Sequence, residues 1–176
     1  MSAELSDQER ERYGGQIVRI GPDAQLRLKG ARVIVVGARA AGSAAAAHLA
    51  SSGVGYVGVV DGGSVTLGDL TGQSVLYTPD VGSNRAEAVA AKLGVLNTGV
   101  HAESYPVDVD AANAPAIVMG HDVAVDCVSD VPLEEACRAA GVALVTAPGP
   151  RAVDGLEAAE DALAILIARA REGAPA

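Results

Sequence analysis

Arg32-Val-Ile-Val-Val36, then Gly37-Ala-Arg-Ala-Ala-Gly42, an alanine-rich run to Ser52, and Tyr56-Val-Gly-Val-Val60 closed by Asp61 together decide the fold. A short apolar run between turn signals reads as a buried strand. Gly37 and Gly42 permit a tight turn, and the alanines that follow are strong helix formers. The second apolar run ends on an acid. Strand, glycine turn, helix, strand and acid within about thirty residues make one βαβ unit, whose strands run parallel.

Outward from this unit the alternation continues. Residues 4–29 read as two short helices. The first is capped by Ser6, with Glu9 completing a capping box, is weakened at Gly14-Gly15 and ends at Gly21-Pro22. The second runs from Asp23 to Lys29 and is closed by Gly30. Beyond a glycine-rich loop to Gly72 come a strand-like Ser74 to Tyr77, a helix from Val81 to Leu96, a strand over His101 to Val107 and a short helix over Asp110 to Met119. His121 to Cys127 is a further buried strand, Pro132 to Ala140 a helix, Val142 to Ala147 a strand, and Leu156 to Arg171 a closing helix. This order predicts the α/β class: a Rossmann-like, doubly wound, mostly parallel sheet with helices on both faces and about six to eight strands. A single domain is expected over residues 1–176, with N-terminal helices at 4–29, the core at 31–150 and the closing helix at 154–172. Ala162 to Ala168 is apolar on every face, which predicts cover from the sheet and from something else.

Composition narrows the function classes. Hydrophobic residues make up 49% of the chain, yet Phe and Trp are absent; Ala fills 35 positions and Val 24. Such a core packs by close approach of backbones. A formal net charge of −9, with only two lysines, argues against nucleic acid and anionic membranes as partners. The polar start, Met1 to Arg12, is not a signal peptide, and the apolar runs are far below the ~20 residues of a membrane span. Cys127 and Cys137 form no disulfide framework or metal motif, so a soluble, cytoplasmic protein with two core thiols is expected. His48, His101 and His121 have no ligand spacing and are expected at the surface or at helix ends; Glu157, Glu160 and Asp161 read as a solvated face.

The glycine turn by itself is unspecific. The order of landmarks is not: Arg12-Tyr13 with Gln16-Ile17, Ala50 with Gly53-Val54-Gly55, then Asp61, Val65, Leu67, Leu70 and Gln73, Asp80 and Gly82, Ala86-Glu87, Leu96-Asn97, and Val125-Asp126-Cys127. From about residue 4 to residue 150 the chain resembles the ThiF/MoeB/HesA family of ubiquitin-activating-type adenylyltransferases. The resemblance implies a dimer that uses ATP and magnesium to adenylate the C-terminal carboxylate of a sulfur-carrier or ubiquitin-like protein. It also implies a nucleotide site at Gly37, Arg39, Gly42, Asp61, Gln73 and Asp126.

Several positions depart from the family pattern. Arg39 stands where the family has the second glycine of its turn, and is expected to obstruct close approach of a triphosphate. Gly63 replaces the second acid of an Asp-x-Asp pair. The motif Ser-Asn-Leu-x-Arg-Gln reads Gly68-Asp69-Leu70-Thr71-Gly72-Gln73, so its arginine is Gly72 and its amide is Asp69. Arg85 replaces a lysine, which keeps the charge but not the ammonium geometry. Ser129 replaces the magnesium-binding aspartate, with Asp130 in place of the neighbouring Asn, and Gly15 replaces the arginine that reaches the partner's γ-phosphate. One such arginine is worth roughly 10³–10⁵ in rate. The crossover loop and zinc segment that follow the family's core are expected to be absent.

Three functions follow from these readings. The first is a non-catalytic, dimeric scaffold or partner subunit (a homodimer, or a heterodimer with a ThiF/MoeB-like chain) in a sulfur-carrier, ubiquitin-like modifier or biosynthetic pathway, with no cofactor. The second is an active ATP- and Mg-dependent adenylyltransferase in which Arg39 and Arg85 replace the lost groups. The third is a repurposed small-molecule site in the same cleft.

Overall fold

The computed structural model describes residues 4–129 and 132–172, with side chains through residue 168. Three short helices open the chain: α1 (Asp7–Arg12), α2 (Gly14–Ile20) and α3 (Pro22–Gly30). Ser6 and Glu9 form the expected capping box at α1. The expected first helix is in fact two, because the chain bends at Tyr13, ahead of the weak helix formers Gly14 and Gly15.

Five strands follow, all parallel: β1 (Arg32–Val36), β2 (Tyr56–Val60), β3 (His101–Tyr105), β4 (Val123–Asp126) and β5 (Ala143–Thr146), in the spatial order β3-β2-β1-β4-β5. Between them run α4 (Ala40–Ser51), α5 (Arg85–Leu96), α6 (Ala114–Val118) and α7 (Leu133–Ala140), and α8 (Ala152–Glu172) closes the chain. Five described strands is one fewer than the lowest expectation, and the difference lies at Ser74 to Tyr77. There the Gln73 side chain accepts the N–H groups of Val75 and Leu76, which makes a loop, while both apolar side chains pack into the core. The helix expected from Val81 starts at Arg85, capped by Asn84, and the one expected from Asp110 starts at Ala114.

Alternating strand residues feed two cores. Val33, Val35, Val57, Val59, Val123 and Val125 face α4, α5 and α8. Ile34, Val36, Val60 and Ala124 face α6 and α7. The alanine content has a local cause: a Cβ at Gly155 would overlap the Ala41 carbonyl, so α4 and α8 cross in backbone contact. Ala158, Ala159 and Ala162 continue that contact surface. The apolar run on α8 is therefore largely covered from within. Ala162, Leu163 and Leu166 are buried, and Ile165 and Ile167 lie half-buried against the same core. No described helix is long and apolar enough to cross a membrane.

β1 is the topological switch point, with β2 on one side and β4 on the other. The crevice beyond the carboxyl ends of these strands is where open α/β sheets bind ligands.

Candidate functional site

A cavity of about 360 Å³ opens in that crevice, lined by residues from the ends of β1, β2 and β4 together with Arg39, Arg85, Asp108 and Pro150. The turn that shapes it needs both glycines. Gly37 has φ +90°, and a Cβ at Gly42 would overlap the Gly37 carbonyl oxygen. Gly37 then passes the chain into α4, at whose first turn Arg39 is the N-cap residue without a side-chain cap.

Asp61, directly after β2, is the centre of the site. Its Oδ2 accepts the Ala38 N–H at 2.9 Å and its Oδ1 accepts the Gly63 N–H at 2.8 Å. Arg85, from the first turn of α5, donates Nε to both oxygens at 3.1 Å, with Nη2 3.0 Å from Oδ1. The same guanidinium donates Nη1 to the Ser64 carbonyl at 2.6 Å and to Asp69 Oδ2 at 3.2 Å. Asp69 is buried, and its Oδ2 also accepts the Thr66 N–H and hydroxyl, both at 2.9 Å. Burial would raise the Asp69 pKa, but the Thr66 hydrogen bonds and the charges of Arg85 and Arg39 outweigh it and hold the carboxyl below its usual range. Burial likewise opposes the charge on Arg85, and the two carboxylates more than restore it.

Gly63 has a physical reason that spacing alone does not reveal: a Cβ there would overlap the Arg85 guanidinium. The missing side chain at 63 and the larger cation at 85 are two halves of one packing solution. Arg39, expected to obstruct close approach of a triphosphate, lines the cavity with its side chain 71% exposed and its Nε 3.6 Å from Asp69 Oδ1.

Other sequence-selected residues are placed elsewhere or do other work. Asp126 is buried at the end of β4, and its Oδ1 accepts the N–H groups of Val128 and Ser129 at 2.9 and 3.0 Å. Ser129 carries φ +72°, a left-handed conformation unusual for serine that this cap helps hold. Asp130 lies outside the described residues. Gln73 donates to the Asp69 carbonyl and accepts from the loop after it, so it braces that loop and is not among the cavity-lining residues. Gly72 sits on an exposed turn and Gly15 on the exposed side of α2. Cys127 lines the cavity, but burial, with Asp126 beside it, pushes its thiol up to about 12, so no thiolate nucleophile forms near neutral pH. Among the described residues, no three His, Cys, Asp or Glu side chains lie together as a metal site would require.

Residues 13–151 match the ThiF family. The chain belongs to that family. It is 38% identical over 151 residues to the SAMP-activating enzyme E1 of Haloferax volcanii, covering 82% of this chain and 56% of that one. It is 36% identical over 150 residues to the molybdopterin-synthase adenylyltransferase of Escherichia coli, covering 82% and 60%. Among solved structures, the E. coli tRNA N6-threonylcarbamoyladenosine dehydratase TcdA in complex with AMP superposes with a TM-score of 0.77 at 28% identity, covering 82% of this chain and 61% of that one. The dehydratase shares the Rossmann-like fold of this chain. The chain spans a little over half the length of these relatives.

Proposed function

We propose that this chain is a ThiF-family protein that no longer adenylylates, and that serves as a non-catalytic scaffold or partner subunit in a sulfur-carrier or ubiquitin-like pathway. The observation that carries the reading is the closed network Asp61–Arg85–Asp69. A triphosphate site needs donors and cations aimed at the ligand. Here Arg85 spends its donors on two carboxylates and a carbonyl of its own chain. Asp61 accepts two backbone N–H groups and the guanidinium, which fills the roughly four acceptor positions of a carboxylate. Sugar hydroxyls would have to displace that cation. The residues present do not fit magnesium-bound ATP.

The assembly half of the reading rests on apolar side chains outside the cleft. Tyr77, Val95 and Leu96 are exposed and line a groove with Ala47, Val75 and Leu93 between α4 and α5. That groove is a better candidate for subunit contact than the half-buried Ile165 and Ile167 on α8. A monomer in light scattering at micromolar concentration would remove the dimeric part of the proposal.

The second reading, an active ATP-dependent adenylyltransferase, is favoured by one observation: the relatives at 36–38% identity include enzymes named for that activity. Calorimetric titration separates the two. We expect no ATP–magnesium dissociation constant tighter than about 1 mM, roughly −4 kcal/mol. A micromolar constant, or pyrophosphate exchange with any sulfur-carrier protein, overturns the non-catalytic reading.

A further inference from the structure

We infer that the cleft selects against negative charge, and that its ligands are non-anionic small molecules with an apolar body. The inference rests on the reading that Arg85 is locked by its own chain, and it adds which ligand class the remaining cavity accepts.

The floor and walls are Val36, Val60, Val107, Val128 and Pro150, with the neutral thiol of Cys127. About 360 Å³ is within the range of small-molecule pockets, and a mostly apolar lining with few polar groups is their usual character. The charged groups at the rim do not favour anions. Two cations, Arg39 and Arg85, stand with three carboxylates, Asp61, Asp69 and Asp108. Arg85 has four of its five N–H groups' worth of contacts taken by Asp61, Ser64 and Asp69.

Arg39 is the one lining cation whose guanidinium is mostly in water, and its nearest carboxylate is the buried Asp69. An anion that recruits Arg39 takes that counter-charge from Asp69, which keeps only Arg85, and faces Asp108 at the rim as well. A cluster whose formal charges sum to −1 repels each added negative charge, while a neutral ligand meets apolar walls and leaves the ion pairs in place. The order of affinities is therefore inverted relative to a phosphate site, in which each phosphate strengthens binding.

The test holds ring and sugar constant and varies charge. The folded full chain is titrated with adenosine, adenosine monophosphate and ATP without metal. Adenosine is expected to bind most tightly, with a loss of about fivefold on adding the first phosphate and more for ATP. Asp108→Asn removes a rim carboxylate and should raise the monophosphate-to-adenosine affinity ratio several-fold. Arg39→Gln removes the loose cation and should lower it. Both side chains are exposed, so circular dichroism is expected to confirm an intact fold in each variant.

A monophosphate that outbinds adenosine, or two variants that move the ratio in the same direction, overturns the inference. So does adenosine that fails to bind at 10 mM, about the weakest affinity worth reading. None of these outcomes touches the non-catalytic reading, which falls if ATP–magnesium binds at micromolar concentration or if pyrophosphate exchange is seen with a sulfur-carrier protein.

Discussion

The two ends of β2 carry two polar networks about one strand length apart, roughly 16 Å for five residues. At the carboxyl end, Asp61, Arg85 and Asp69 close around a cavity. At the amino end, Tyr56 is buried beneath other polar side chains. Arg32 lies 3.6 Å from its ring centroid, His101 stacks at 5.3 Å, and His121 tilts against it at 5.5 Å. The Tyr56 hydroxyl donates to Glu103 at 2.6 Å and lies 2.6 Å from that of Tyr105. Burial, followed by the bonds to Glu103 and Tyr105, drives the Tyr56 pKa far upward. Strongly shifted titration is often read as a mark of function. Here a strong shift belongs to side chains that pack on one another over a stretch of sheet, and the cavity lies at the other end. Topology and empty space locate the site, not the size of a shift.

If the networks differ as described, removing their central groups should have unequal effects. Arg85→Ala strands two carboxylates, one of them buried, and breaking a buried ion pair by deleting one partner is strongly destabilising. A loss of about 3 kcal/mol in chemical denaturation is expected, because Ala38, Gly63 and Thr66 still donate to Asp61 and Asp69. Arg85→Lys should recover only part of it, since one ammonium cannot span both carboxylates and the Ser64 carbonyl. A loss below about 1 kcal/mol for the alanine variant would mean that the upper network is as dispensable as a surface pair.

Tyr56→Phe removes one hydroxyl from the lower network and leaves the ring stack intact. Glu103 is half-exposed and regains water, so about 1 kcal/mol is expected, or roughly 2–4 °C in melting temperature. Equal losses for Tyr56→Phe and Arg85→Ala would erase the distinction between the two ends.

The sequence carried the scaffold because periodicity and turn chemistry are local. Gly37, Gly42 and Asp61 fix the strand–turn–helix–strand unit within thirty residues, and the structure keeps every part of it. Ser74 to Tyr77 misled because apolar residues flanked by turn signals resemble a strand. Only the Gln73 side chain, by taking the N–H groups of Val75 and Leu76, makes them a loop. The site was legible as a set of departures and not as a new arrangement. Gly63 and Arg85 are 22 positions apart, and nothing local says that one makes room for the other. The lower network was missed for the same reason. His101 and Tyr56 begin neighbouring strands, and only the pairing Tyr56 with His101 brings them together.

The finest separation of the two ends is by pH. His121 has its Nε2 buried without a hydrogen-bond partner, and burial is the main cause that depresses its pKa below the usual 6.5. Arg32 pushes it in the same direction; the Val118 carbonyl, Asp122 and Glu103 oppose them but do not prevail. The folded state thus holds a neutral imidazole at a pH where the unfolded chain is already protonated. Because the unfolded state binds more protons in that window, stability rises with pH there. It is undiminished above pH 6.5, falls as pH drops through 6.5, and levels off once the folded imidazole also protonates. One group contributes at most about 1.4 kcal/mol per pH unit, and only between the unfolded and folded pKa values. The upper network is silent in the same window. Asp69 has a depressed pKa, so its contribution is complete above the ordinary carboxylate range and is lost only at more acidic pH. Urea titrations at pH 7.5, 6.5 and 5.5 should show a decline in the unmodified protein that is flattened in His121→Gln and unchanged in Arg85→Lys. A decline that persists in His121→Gln would leave the Tyr56 network without a titrating member near neutral pH.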